Sequence, residues 1–235
     1  MNTETPQQFA QRVGLSFRDW RLLMRALTHT SYLNEHPEAL EDNERLEFLG
    51  DAILDFVVGE WLYHRFPEMR EGDLTRLRAA LVCREQLGEF ARAVGLQRAL
   101  LLGRGAESND GRYRDTLLSA AFEALVGALY LDQGLEAVRA FVLPLLPATV
   151  EHILSEHLDE DPKSRLQAWA QGHGYGAPVY RTVHVEGPEH QREFTVEVLL
   201  NGEPWGRGSG PSKREATKAA AREALRRVET HLTAR

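Results

Sequence analysis

Across the first 155 or so residues, apolar side chains return every three or four positions, the period of a helix with one buried face. Between Phe17 and His29 this spacing places Trp20, Leu23, Met24 and Leu27 on one face. The run LEFLGDAILDFVVGEWLYHRF predicts a long helix, capped by Asn43 and continuing to about Phe66, where Pro67 ends it. A third helix is expected from Gly72 to Gly95 and a loop around Gly103–Gly111. A fourth helix should cover Thr116–Asp132. A last one, over 135–157, should break near Pro144 and Pro147. No strand-like alternation occurs before residue 160. Residues 1–157 therefore read as one all-α domain of ordinary size.

Beyond an acidic stretch at 158–162, which reads as a linker, the period changes. A short helix (KSRLQAWAQGHG) stops at Gly172 and Gly174. PVYRTVHVEG and REFTVEVLLNG then alternate apolar and polar residues as half-buried strands do. Asn201-Gly202 is a strong hairpin-turn signal, and EPWGRGSG reads as a third strand. Ser212 caps a long Ala-rich final helix. Residues 163–232 are thus expected to form a small α+β domain of order α-β-β-β-α, with both helices on one face of the sheet.

Composition changes this picture in one respect. With 43% hydrophobic and 27% charged residues the chain is ordinary for a globular protein. The net charge of −7 argues at first against a nucleic-acid partner. The charge is unevenly divided, however. Residues 1–161 hold 16 basic and 27 acidic side chains, a net −11, and residues 162–235 hold 12 and 8, a net +4. An acidic front and a basic back point to two domains with different tasks, although chance variation in surface charge would look the same. No run of eighteen apolar residues suggests a membrane span, and the N-terminus lacks the basic and apolar regions of a secretory signal. Cys83 is the only cysteine, which excludes an internal disulfide and a cysteine-rich zinc site. A cytoplasmic location is expected.

Candidate chemistry sits in NERLEFLGD. Glu44, Glu47 and Asp51 fall at i, i+3 and i+7, so a helix carries all three carboxylates on one face. Like charges so placed repel and require water, basic residues or a divalent cation. An all-oxygen ligand set selects Mg²⁺ or Mn²⁺ over zinc, and such metals activate water for phosphodiester cleavage. The plain alternative is a solvated polar face, the usual fate of helical carboxylates. Glu123 stands alone in the apolar SAAFEALVGALYLD, where a buried carboxylate needs an ion or an arginine. His29, at an apolar helix end, reads as a structural histidine.

These segments carry a resemblance. NERLEFLGDAILD closely resembles the signature of the ribonuclease III family of double-stranded RNA endonucleases. ALTHTSY, the REG of Arg70–Gly72 and FEALVGALYLD are similar to further family segments in the same order. GRGSGPSKREATKAAAREAL resembles a double-stranded RNA-binding domain. The likeness spans about residues 8–230. It implies a homodimeric, Mg²⁺-dependent endoribonuclease, with Mn²⁺ as a substitute, that leaves 5′-phosphates and short 3′ overhangs on ribosomal and other structured RNAs. By the same resemblance, Glu47, Asp51 and Glu123 are the catalytic metal ligands. Glu44 and Glu71 line the cleavage valley beside the polar Asn43, and Phe48 enters a pocket of the partner subunit. One position departs: where the family usually has an aspartate three residues before Glu123, this chain has Ala120. Asp115, five residues earlier still, lies on another helix face. A dimer that grips duplex RNA but cuts it poorly is therefore the rival reading.

In the basic domain Lys213, Arg214 and Lys218 cluster at the start of the last helix, where positive side chains oppose the helix dipole but suit phosphates. Duplex RNA is recognised through its shape, 2′-hydroxyls and phosphates. The resemblance adds Ser212 to this phosphate-binding group. It also assigns Gln167 and Gln171, an i, i+4 pair, and His190 to minor-groove contacts.

Overall fold

The computed structural model describes residues 4–39, 41–107, 111–156, 159, 161–188 and 192–233, with 229–233 as backbone alone. The chain divides into two compact units, Met1–Asp159 and Glu160–Arg235. The first is helical: α1 (Pro6–Val13), α2 (Trp20–Ala26), α3 (Thr30–Leu33), α4 (Glu44–Arg65), α5 (Glu71–Leu81), α6 (Arg84–Ala93), α7 (Arg104–Glu107), α8 (Asp115–Gln133), α9 (Leu135–Val142) and α10 (Leu146–Ser155). The second holds α11 (Pro162–Gly172), β1 (Val179–Glu186), β2 (Glu193–Leu200), β3 (Glu203–Gly210) and α12 (Lys213–Thr233).

The centre of the first unit is α8. Leu118, Ala121, Phe122, Ala124, Leu125, Val126, Ala128 and Leu129 are all buried, so the helix is apolar around most of its circumference, as a helix enclosed by others must be. Helix α4 buries one stripe, Leu46, Ile53, Leu54, Val57, Val58 and Leu62, and leaves the opposite face open. The two helices cross with their backbones in contact. A Cβ at Gly50 would lie 1.8 Å from the Glu123 carbonyl oxygen, and one at Gly127 would lie 2.4 Å from the Leu46 carbonyl oxygen. Glycine inside a helix costs up to about 1 kcal/mol relative to alanine. Here that cost is offset by a crossing that no other residue permits. Phe122 continues the core, with its ring centroid 5.9 Å from Phe90 and 5.8 Å from Phe141.

Several expected elements differ in detail. Asn43 precedes α4, but its backbone is already helical and its side chain makes no cap. It is buried, with Nδ2 donating to the Ala26 carbonyl at 3.5 Å. Asp42 supplies the cap instead, its Oδ1 accepting from Glu44 N–H at 3.2 Å. The helix expected over Gly72–Gly95 is two, interrupted at Val82–Cys83, where Cys83 turns extended. No glycine or proline marks this break. It arises because α5 packs its buried Leu77 and Leu81 against α4, whereas α6 packs Leu87, Phe90 and Ala91 against α8. Phe17–His29 contributes only the seven residues of α2, capped by Asp19. Leu23 and Leu27 are buried, but Trp20 and Met24 remain 40% and 39% exposed. Within the expected 103–111 loop, Arg104–Glu107 makes one helical turn, and 108–110 lie outside the described residues. Leu135–Ser155 is apolar enough to be compared with a membrane span. It is folded as α9 and α10 about a 3₁₀ turn at Leu143–Leu145, with Val138, Val142, Leu146, Val150 and Ile153 in the core.

In the second unit the strands form an antiparallel sheet of order β1-β2-β3. Asn201 (φ 51°) and Gly202 (φ 86°) take the two left-handed positions of a type I′ turn, which matches the twist of β2 and β3. Leu166 and Ala170 of α11, the alanines of α12, and Val196, Val198 and Leu200 of β2 close a core on one sheet face. Helix α11 starts at Pro162, inside the stretch read as linker, because Asp161 Oδ1 caps Lys163 and Ser164 N–H at 3.0 and 3.2 Å. Of that stretch, 158 and 160 lie outside the described residues. The domain order is thus an all-α unit followed by α-β-β-β-α, the fold class the patterning predicts.

The crossing gives a direct test. Gly50→Ala should destabilise the helical unit by about 3 kcal/mol, the upper range for forcing extra volume into a packed interior. Urea denaturation followed by helical circular dichroism measures this, and a midpoint equal to wild type would show that the backbones are not in contact.

Candidate functional site

Glu47 and Asp51 sit one turn apart on α4, on either side of Gly50, and Glu123 projects from the stretch of α8 whose carbonyl touches Gly50. The helix crossing therefore gathers the three carboxylates. Their mutual influence is marked. Burial, together with the charges of Glu47 and Asp51, pushes the Glu123 carboxyl up to about 7. Glu47 is raised as well, by burial and then by Glu44 and Asp51. The charge of Arg84, the first residue of α6, opposes the shift at Glu123. Among the described residues, none of the three carboxylates takes part in a hydrogen bond or ion pair, and no three acidic, histidine or cysteine side chains already converge at metal-holding distance. The donor set nonetheless suits a hard divalent cation. It is all oxygen, it repels itself, and no protein cation is bonded to it.

The other expected site residues are placed differently. Glu44 is exposed beside Glu47 and adds to its repulsion. Glu71 is exposed at the first position of α5 and accepts from Thr75 Oγ1 at 3.0 Å, and it is not among the charges acting on Glu47 or Glu123. Asn43 supports the start of α4 from inside and presents no side chain to the cluster. Phe48 points out of α4 next to Glu47 and is 81% exposed. Ala120 lies one turn before Glu123, half-buried. Asp115 cannot replace the missing carboxylate, because it is held by Arg92 at 2.7 Å. His29 is structural: its Nδ1 lies 2.8 Å from Ser31 Oγ and accepts from Ser31 N–H at 3.1 Å, and burial lowers its pKa.

In the second unit Gln167 and Gln171 lie exposed on α11. Ser212 Oγ accepts from Glu215 N–H at 3.2 Å and so caps α12. Lys213 and Arg214 are exposed at that helix start, while Lys218 is half-buried, 3.8 Å from Glu215. His190 lies outside the described residues. Sequence reasoning missed Arg84, which no spacing marks, and the Gly50–Gly127 contact, whose one signal is a glycine in the middle of each of two apolar helices.

Comparison with known proteins bears on the family of the chain. A protein named Ribonuclease 3 from Roseiflexus sp. (strain RS-1) is 48% identical over 225 residues, 94% of this chain and 95% of that one. The chain belongs to the ribonuclease III family. A further Ribonuclease 3, from Symbiobacterium thermophilum, is 50% identical over 216 residues, covering 92% and 91% of the two chains. The ribonuclease-III-like family model matches residues 19–149, and the double-stranded RNA binding motif matches 162–228. The nuclease domain of ribonuclease III from Campylobacter jejuni superposes with a TM-score of 0.55 at 41% identity, covering 60% of this chain and 94% of that one. In this ribonuclease III chain the carboxylate crossing lies within the nuclease match and the basic helix start within the RNA-binding match.

The cluster makes the fold sensitive to pH. The folded state holds the Glu123 proton up to about 7, above the ordinary 4.5, so the native protein binds more protons than the unfolded chain between those values. Stability should therefore be highest below the lower value and fall as pH rises through the higher one. Melting temperatures of metal-free protein at pH 5 and pH 8 measure this. Glu123→Gln should raise stability at pH 8 and flatten the profile. An unchanged profile would mean that Glu123 is not in the cluster.

Proposed function

We propose that the protein is a divalent-metal-dependent endoribonuclease that cuts double-stranded RNA as a homodimer. The observation that carries this reading is the mutual repulsion of Glu47, Asp51 and Glu123, none of them ion-paired among the described residues, at the α4–α8 crossing, in a chain that also carries a double-stranded RNA binding motif. These three carboxylates would hold Mg²⁺, or Mn²⁺ in its place, and the ion would supply charge neutralisation and water activation for attack on phosphorus. The chain's own residues set the conditions. The Gly50–Gly127 contact fixes the separation of the two carboxylate-bearing helices. Burial of Glu47 and Glu123 lowers the local dielectric and strengthens their hold on a cation. Glu44, whose charge reaches Glu47, extends the acidic rim against which the scissile strand would lie, and the family resemblance adds Glu71 to it. Ala120 cannot itself be a ligand, and Mg²⁺, which keeps several waters when bound, would tolerate its lack of a carboxylate.

Binding and cutting are divided between the units. Lys213, Arg214 and Lys218, with the capped start of α12, suit phosphates bordering the major groove, while Gln167 and Gln171 suit minor-groove 2′-hydroxyls, and His190 is assigned to the next minor groove. Cleavage by two subunits, one per strand, would yield 5′-phosphate ends with short 3′ overhangs, and structured precursors such as ribosomal RNA are suitable substrates. Dimerisation is supported by the 81% exposure of Phe48 and by the Campylobacter jejuni structure, described for flexibility in a region involved in dimer formation. The single half-buried thiol, Cys83, is consistent with the cytoplasm.

Long duplex RNA incubated with the protein in Mg²⁺ should be reduced to short duplexes, and EDTA should abolish the reaction. Ala120→Asp should lower the Mg²⁺ concentration needed. Intact RNA that is still retarded on a binding gel would instead establish a binding dimer without cleavage. A second expectation concerns assembly: Phe48→Glu should convert the dimer to a monomer in light scattering, and an unchanged mass would remove Phe48 from the interface.

A further inference from the structure

Helix α6 runs antiparallel along α8, and the seam is pinned at one end. Arg92 Nη2 donates to Asp115 Oδ1 at 2.7 Å, and the tilted rings of Phe90 and Phe122 meet across the same seam with centroids 5.9 Å apart. Gly88 admits this approach, since a Cβ there would fall 2.9 Å from Asp115 Oδ1. Arg84 precedes Arg92 by eight residues, and Glu123 follows Asp115 by eight. Two turns along each helix, in opposite directions, set Arg84 against Glu123 in the same register that sets Arg92 against Asp115. The two arginines nonetheless meet different fates. Arg92 is committed to Asp115 and to Glu89, the latter at 3.0 Å. Arg84 is exposed and, among the described residues, makes no ion pair or hydrogen bond, although its charge is felt at Glu123. A guanidinium is thus held at the edge of a carboxylate cluster with its donors free.

We propose that Arg84 is a phosphate-holding residue of the cleavage site, gripping the RNA strand that passes over Glu47, Asp51 and Glu123. The inference rests on the function proposed above. A polyanionic strand has to approach four carboxylates, counting Glu44, and Arg84 is the cation whose charge acts on Glu123 at that place. The planar guanidinium matches a phosphate bidentately, which an ammonium does not. Ala120 acts in the same direction, because it removes a negative charge from the turn of α8 that precedes Glu123.

The test compares full-length wild type, Arg84→Ala, Arg84→Gln and Arg84→Lys on duplex RNA at fixed Mg²⁺ over a range of monovalent salt. Loss of one charged phosphate contact should lower kcat/KM about tenfold in the Ala and Gln variants. It should also reduce the slope of log kcat/KM against log salt by about one. Arg84→Lys should recover the slope and part of the rate, and melting temperatures should stay close to wild type, because among the described residues the side chain has no hydrogen bond or ion pair to lose, only its attraction to Glu123. Unchanged kinetics in Arg84→Ala and Arg84→Gln would overturn the assignment. So would a loss that extra Mg²⁺ reverses with the salt slope intact, accompanied by a changed melting response to Mn²⁺ alone, since Arg84 would then tune the charge of the cluster without touching RNA. Wild type that fails to cut would overturn the proposed function itself, a result distinct from either.

Discussion

Everything at the candidate site depends on two helices touching without side chains between them. At Gly50 and Gly127 the backbones of α4 and α8 meet at distances that exclude even a methyl group. Because Glu47 and Asp51 flank the first glycine and the Glu123 carbonyl abuts it, the contact that closes the core also sets the carboxylates together. Stability and site geometry are thus governed by one crossing. Each of the surrounding helices has a share in holding it: α5 packs behind α4, α6 packs behind α8, and the Phe90–Phe122–Phe141 group fills the space around the middle of α8.

That arrangement is electrostatically unfavourable by itself. Three carboxylates sit together, two of them half-buried, and the fold resists ionising them, most clearly at Glu123, pushed up to about 7. Elsewhere in the helical unit several acidic groups are paired with an arginine, as with Glu4 and Arg12, Asp19 and Arg21, and Glu60 and Arg139. Half-buried acids that repel one another and bind no protein cation mark the crossing as a candidate functional site. The charge of the chain divides along the same boundary: the acidic carboxylate crossing lies in the helical unit, and the net-positive residues 162–235 hold the double-stranded RNA binding motif.

The small second unit reaches its fold by simpler means. Its turn needs two left-handed residues and has Asn201 and Gly202, and its last helix needs a cap and has Ser212. Its core is closed mainly by alanines of α12 against the sheet, which brings that helix close and leaves its charged start free. Here local chemistry and global fold agree at each step, the condition under which patterning alone is informative.

The chain's periodicity, turn residues and caps by themselves determined the all-α then α-β-β-β-α order, the hairpin and most helix spans, because those features depend on neighbours a few positions away. The acidic spacing on α4 likewise placed Glu44, Glu47 and Asp51 on one face. Tertiary structure alone decided the rest. Whether Glu123 meets that face depends on a crossing 77 residues apart in sequence, between Gly50 and Gly127. The break at Val82–Cys83 has no local signal and follows from two partners pulling two helix segments different ways. Asn43 has the chemistry of a cap but is drawn inside to Ala26, leaving the cap to Asp42. Arg84 differs from Arg92 in nothing but its position along the seam. Spacing tells which residues share a face, and only packing tells what that face meets.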